Sequence, residues 1–294
     1  MAGILDRDNQ PLTGDRLAHH IAVAQSMDTP ADLYGGCLYR IVSRLFRPVV
    51  YGAEKIPDRP CLFIGNHSLF ALDTLVLLPV MQEELGIFLR PMADKLFFNI
   101  DLVGERLLNM GMVMGHPDVG EALMEARQNI LLYPGGAHES VKPQRQRYTL
   151  QWKERYGFIR LAAKHGYTIV PVAMVGPDEF YDNLYEGEEL PGTPLGVLLR
   201  SLGLLTDSTR TDLLPPLPMG ALSSLFPKLQ RCLIGFGEPL NLAPLAGKKP
   251  PTKARQKSLR KQVEQQIEQQ IRQLLVERER LRHEDGLLRR ILRA

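Results

Sequence analysis

The sequence predicts an α/β fold: a single domain with a mostly parallel central sheet flanked by helices, plus a long C-terminal helix. Three observations carry that expectation. Short apolar runs at 48–51, 61–65, 87–92, 111–114, 129–133, 168–175 and 232–236 read as strands. Between several of them, over 71–84, 118–128, 149–164 and 178–185, apolar residues recur at spacings of three and four, as on one-sided helices. Strand and helix thus alternate in the order that parallel βαβ units require.

Composition sets the outer limits. The 294 residues, 44% hydrophobic and 23% charged, are enough to bury one substantial core and are unlike a disordered or fibrous chain. The net charge of +3 hides an asymmetry, because residues 251–294 hold 12 Lys/Arg against 6 Asp/Glu. Cys37, Cys61 and Cys232 are isolated, which favours reduced core cysteines over a disulfide, zinc or redox site and points to the cytoplasm. The N-terminus lacks the basic start and apolar run of an export signal. No stretch of about 18 uncharged apolar residues is present, so membrane contact is expected to be peripheral.

Along the chain, residues 1–32 are polar and contain Pro11 and Pro30, which reads as a loosely packed arm. From Leu33 to Val50, Arg40, Arg44 and Arg47 share a helical face, and Tyr39, Ile41, Val42, Leu45, Phe46 and Val49 fill the rest, as in a basic amphipathic helix. The α/β domain is expected over 33–246, interrupted at 186–230 by a proline- and leucine-rich insertion that either covers one end of the sheet or meets lipid. Residues 247–294 read as a linker and an amphipathic helix, with Leu259, Val263, Ile267, Ile271 and Leu274 on one stripe and a basic end at Arg289, Arg290 and Arg293. The two basic helices make an anionic membrane surface a candidate partner. Nothing in the sequence suggests nucleic-acid binding, and the oligomeric state is left open.

Two segments carry chemistry. In Ile64-Gly65-Asn66-His67-Ser68-Leu69-Phe70-Ala71-Leu72-Asp73, an apolar strand runs into a turn bearing a histidine, with an aspartate at the mouth of the next helix. Reacting groups collect at such carboxyl ends of strands. A histidine with its tautomer fixed by a carboxylate can take a proton from a hydroxyl. In Leu131-Leu132-Tyr133-Pro134-Gly135-Gly136-Ala137-His138-Glu139, two glycines follow another buried strand, and their N–H groups can either cradle an anion or close a tight turn. His19, His20, His116, His165 and His283 lack metal-ligand spacing, so no metal is expected.

Taken together and in this order, the two segments resemble the lysophospholipid (glycerolipid) acyltransferase superfamily. The flanks agree: Tyr51-Gly52-Ala53-Glu54-Lys55-Ile56-Pro57, Ile169-Val170-Pro171-Val172-Ala173 and Gly235-Phe236-Gly237-Glu238-Pro239-Leu240 match the family's first strand and turn, its Val-Pro-Val strand and its final strand and turn. The resemblance covers about 40–245. Five residues separate His67 from Asp73 where most members have four, and with Pro-Gly-Gly-Ala and a later Glu this looks like the branch of phytyl ester synthases and type-2 diacylglycerol acyltransferase relatives. His138 departs from the Arg often found before the glutamate.

The resemblance implies an O-acyltransferase that uses acyl-CoA or acyl carrier protein as the acyl thioester donor and a lipid alcohol as acceptor, with no cofactor and no covalent intermediate. His67 would be the general base and Asp73 its orienter. Asn66, Pro134, Gly135, Gly136, His138 and Glu139 would line the acceptor site, with Arg90, Asp94 and Lys95 near a second motif. An esterase or thioesterase on the same scaffold is a competing reading, as is a catalytically silent lipid-binding protein. No GxSxG elbow supports a serine hydrolase. The turn's carboxylate, without an adjacent arginine, favours a neutral alcohol over a phosphorylated, lysophosphatidate-type acceptor, although Lys142, Arg145 and Arg147 lie just downstream.

Overall fold

The computed structural model describes residues 12–27, 36–203, 205, 206, 209 and 211–293. Its strands are β1 (Val49–Tyr51), β2 (Cys61–Gly65), β3 (Leu89–Ala93), β4 (Val113–Met114), β5 (Asn129–Leu132), β6 (Thr168–Val175), β7 (Asp182–Tyr185), β8 (Leu217–Met219), β9 (Leu233–Phe236) and β10 (Leu240–Asn241). The α-helices are α1 (Gly14–Ser26), α2 (Cys37–Phe46), α3 (Leu72–Leu85), α4 (Lys95–Phe98), α5 (Asp101–Asn109), α6 (Pro117–Glu125), α7 (Ala137–Ser140), α8 (Gly157–His165), α9 (Pro194–Ser201), α10 (Lys253–Leu281) and α11 (Leu287–Arg293).

The main sheet runs in the order β1-β9-β6-β2-β5-β3-β4, with β10 also on β6, and β7 pairs β8 in a separate ribbon. From β6 to β4 all pairings are parallel, whereas β9 and β10 run antiparallel to β6. The sheet is therefore mostly parallel, as its apolar strands require: both faces must be covered.

Alternation along each strand divides the core in two. Leu62, Ile64, Ile169, Ala173 and Val175 join α1, α6, α8 and α10 on one face. Cys61, Phe63, Val170, Val172 and Met174 join α2 and α3 on the other. Leu62, Phe63 and Ile64 are almost wholly buried, each burial contributing about 1.5–3 kcal/mol. Pro171 sits inside a central strand without penalty, because β9 pairs residues 172–175 and β10 residues 168–169, and its missing N–H faces the break between them, where its carbonyl accepts from Gly237 N–H.

The C-terminal stripe behaves as its spacing demands. Leu259, Val263, Ile267, Ile271 and Leu274 are buried along the 29-residue α10, a rod about 43 Å long that lies on β6 and β9. The helix starts at Lys253, inside the expected linker, because the Thr252 side chain caps Arg255 N–H.

Three expectations need correction. Residues 14–26, read as part of a loose arm, form α1: Leu12 and Ala24 are buried, Gln25 bonds the Ala122 carbonyl, and the His20 ring accepts from Met114 N–H. A histidine and an alanine on its inner face leave little hydrophobic contrast to read; residues 1–11 and 28–32 of the expected arm, and Leu33 to Gly35 of the basic helix, lie outside the described residues. The helix expected over 149–164 is present only from Gly157, since Tyr148 and Lys153 take left-handed backbone conformations and Trp152 is buried in the preceding loop. The segment 178–185 gives a single turn at Pro177–Glu179 and then β7, drawn into a ribbon by β8 from the far side of the insertion. The insertion holds α9 and β8, with Leu190, Leu205, Leu213 and Leu214 buried; Leu204 lies outside the described residues.

Candidate active site

Because β2, β5 and β6 are parallel neighbours, their carboxyl ends deliver the loops after Gly65, Leu132 and Val175 to one edge of the sheet. Asn66, expected among acceptor contacts, is committed to the fold: its amide donates to the Met174 carbonyl at 3.0 Å and accepts from Met174 N–H at 2.8 Å. This clamp carries the β2–β6 pairing past the last ladder residue and fixes where the next residue, His67, begins.

His67 and Asp73 meet. The ring Nδ1 lies 3.0 and 3.1 Å from the two carboxylate oxygens of Asp73. The five-residue spacer is accommodated by a single turn at Leu69–Ala71 in which Phe70 and Ala71 have φ of 55° and 58°. Each costs about 1–2 kcal/mol in a non-glycine residue, and such strain persists only where the surroundings over-determine it. Ser68 does part of that, donating its hydroxyl to Asp73 and accepting from Asp73 N–H, both at 2.9 Å. Asp73 also occupies the first turn of α3, where the helix dipole favours a carboxylate.

Burial alone would raise the Asp73 carboxyl. The facing His67 and hydrogen bonds from His67, Tyr133 and Ser68 outweigh it and hold the group below the ordinary carboxylate range. With an ionised carboxylate on Nδ1, that nitrogen carries the proton, and Nε2 is left as an acceptor with no hydrogen bond to any described residue. The side chain keeps 11% of its surface exposed. The imidazole stacks on Tyr133 with centroids 4.0 Å apart and planes 9° from parallel. Glycine at position 65 gives the ring room, since a Cβ there would meet the Tyr133 ring at 3.0 Å and press it aside.

The Pro-Gly-Gly turn is a scaffold for Glu139. Gly136 N–H, offered by the sequence as an anion donor, bonds the Tyr133 carbonyl at 3.0 Å, and the Pro134 carbonyl accepts from Arg155. A Cβ on Gly135 would sit 2.2 Å from the Glu139 carboxyl carbon, so glycine is what admits that carboxylate. Glu139 is wholly buried; Oε1 accepts from Gln151 N–H at 2.8 Å, while Oε2 has no partner. Burial pushes its pKa up to about 7, with nearby Lys142 offsetting part of the effect. His138 lies 3.2 Å from the Lys153 ammonium.

A raised acid disfavours the fold only when ionised. The penalty is absent below the unfolded value near 4.5, grows as pH rises, and is complete above about 7. Glu139→Gln should therefore stabilise the protein by up to about 3 kcal/mol at pH 8 and by much less at pH 5. Urea unfolding of both proteins at the two pH values checks this; an equal difference at both would contradict it.

Most of the downstream cations are not available to a phosphate. Lys142 is buried against the His67 carbonyl and Asp178, and Arg147 bonds Asp182 and the Tyr181 carbonyl. Arg90 is fully buried, donating to the Gly111 and Ala24 carbonyls. Arg145 alone of these is exposed. Among the described residues, no group of three or more His, Cys, Asp or Glu is placed to hold a metal. Sequence reasoning missed Ser68, Tyr133 and the Lys142–Asp178 pair; only Tyr133, heading the Pro-Gly-Gly turn beside Gly65, carried a local signal.

Residues 47–175, which span both segments, match the family model described as Acyltransferase. This segment is similar to acyltransferase domains. Over 155 residues the chain is 29% identical to phytyl ester synthase 2, chloroplastic, of Arabidopsis thaliana, covering 50% of this chain and 22% of that one. Diacylglycerol O-acyltransferase 2 of Dictyostelium discoideum is 29% identical over 152 residues, covering 49% and 44%. The chain thus spans less than half the length of either relative. The chain is also similar in structure to the 1-acyl-sn-glycerophosphate acyltransferase PlsC of Thermotoga maritima, with a TM-score of 0.45, 15% identity and 87% of each chain covered.

Proposed function

We propose that this protein transfers a fatty acyl chain from a thioester, acyl-CoA or acyl carrier protein, to the hydroxyl of a neutral lipid alcohol. The observation that carries this reading is the His67–Asp73 pair, with Nδ1 locked and Nε2 left to accept. Nε2 takes the proton of the acceptor hydroxyl as its oxygen attacks the thioester carbonyl. The C–O bond forms, the C–S bond breaks, and the proton passes from the imidazolium to the departing thiolate. Asp73 supports the transient imidazolium without itself taking the proton. Glu139, neutral over part of the physiological range and wholly buried, sits beneath the turn on which the acceptor is held.

The reaction takes place at an anionic membrane surface. No described helix is long and apolar enough to cross a membrane. Ile41 on α2, exposed between Arg40 and Arg44, Leu287, Leu288 and Ile291 on α11, and Leu222, Leu225 and Phe226 in the turn against α11 stand out from the surface. Arg289, expected at the lipid surface, is instead buried and ties α11 to the Arg44 and Leu45 carbonyls of α2.

Labelled acyl-CoA and acyl carrier protein, offered with anionic or neutral vesicles carrying diacylglycerol, a long-chain alcohol, lysophosphatidate or glycerol 3-phosphate, test the reading. Labelled ester on the neutral alcohols, faster on anionic vesicles and slowed by salt, is expected. Free fatty acid as the only product would support the thioesterase reading, and a preference for a phosphorylated acceptor would overturn the neutral one.

A further inference from the structure

Beside the reacting groups lies a buried ion pair that the acyl-transfer steps do not use. Lys142 follows α7, and Asp178 lies in the turn after β6; each side chain keeps only 2% of its surface exposed, and they meet at 2.9 Å. The same ammonium donates to the main-chain carbonyl of His67 at 2.7 Å. A lysine taken out of water at this cost needs a return that a surface pair could not give. The bond it makes falls at the head of the strained spacer, on the residue whose ring must face Asp73.

The pair is itself braced, by Tyr148 within the acyltransferase match and by Arg278 beyond it. Asp178 accepts from Tyr148 N–H at 2.7 Å, and Tyr148 is a non-glycine residue held at φ 60°. The Tyr148 hydroxyl bonds Glu179 and accepts from Gly176 N–H. Arg278, buried on α10, donates to Glu179 at 2.7 Å and to the Tyr148 hydroxyl at 3.2 Å. A continuous path of hydrogen bonds therefore runs from the C-terminal helix to the backbone of His67.

We propose that Lys142 is a positioning residue for His67, holding its backbone so that the ring faces Asp73, and that Asp178 and the C-terminal helix, through Arg278, hold Lys142 in turn. The proposal rests on His67 as the reacting base. Without the clamp, Phe70 and Ala71 are free to leave the left-handed region and the His67–Asp73 contact loosens. Misplacement of a reacting group by about 1 Å can cost on the order of 100-fold in rate.

The test is the double variant Lys142→Met/Asp178→Asn, which removes the pair without stranding a charge, with Lys142→Arg as the conservative replacement. Circular dichroism and melting establish folding. Acyl transfer on vesicles gives kcat and KM, and ¹H NMR of protein labelled with ¹⁵N-histidine follows the His67 Nδ1–H proton, shifted downfield by its carboxylate. The double variant should lose about 10–100-fold in kcat with KM nearly unchanged and should lose or broaden that resonance, while Lys142→Arg retains it. A folded double variant with native kcat and an unaltered resonance overturns the proposal. Should the double variant not fold, Arg278→Gln carries the same measurements, with a partial loss expected and no change in either overturning the proposal. If the native protein forms no ester with any donor and acceptor, the acyl-transfer reading fails, while the resonance still decides whether Lys142 positions His67.

Discussion

His67→Ala is expected to lower ester formation by about 10²–10⁴-fold, the usual value of a positioned general base. The structure adds a cost in stability, because Asp73 is wholly buried and would lose its principal partner while retaining Ser68 and Tyr133. His67→Gln, which keeps an amide donor within reach of the carboxylate, separates the two effects: activity stays low while part of the stability returns. Asp73→Asn should cost activity by a different route, since a neutral amide cannot support the imidazolium and can set the wrong tautomer. Because the Asp73 carboxyl is held below its ordinary value, its contribution to stability is present above the unfolded carboxylate pKa of about 4 and is lost as pH falls through the lower folded value. Near-native acyl transfer by His67→Ala, measured with labelled donor, would sink the mechanism.

Gly135→Ala is the second large effect. Its Cβ would lie 2.2 Å from the Glu139 carboxyl carbon, and Glu139 is wholly buried and held by Gln151 N–H. Overpacking of this kind costs about 1–3 kcal/mol, and the displaced carboxylate should weaken acceptor use, seen as a raised KM. Pairing it with Glu139→Ala removes the clash, so the double variant should regain stability but not acceptor affinity. Equal losses of stability in the single and double variants would show that the turn, and not the carboxylate, is what glycine serves.

The legible parts of this protein are those set by local pattern. All seven apolar runs are strands, because a strand buried on both faces must be apolar along its whole length, as Thr168–Val175 is. The His67–Asp73 juxtaposition was legible because both residues lie within one strand-turn-helix unit. What escaped depends on partners distant in sequence. Nothing around Lys142 says that it turns inward, since its partners are the carbonyl of His67 and the carboxylate of Asp178, 75 and 36 positions away. Asp182–Tyr185 becomes a strand only because Leu217–Met219 returns to pair with it. For α1, a buried histidine bonded to Met114 N–H replaced the leucine that periodicity would have revealed.

The strand order β1-β9-β6 sets a schedule for synthesis and folding. Strand β1 has one neighbour, β9, which is made some 180 residues later, so Val49–Tyr51 wait unpaired while more than half of the chain emerges. The acyltransferase match ends at Val175, yet at that point β6 still exposes the edge that β9 and β10 will cover and the floor that α10 will occupy. An uncovered edge beside an uncovered apolar face invites pairing with another chain. Closing so long a loop is slow relative to local helix formation. The reactive edge of the sheet, carried by β2 and β5, can thus assemble early, while the strand and helix that seal the opposite side arrive last, and the nascent chain passes through a stage in which most of its catalytic turn is complete but its core is open.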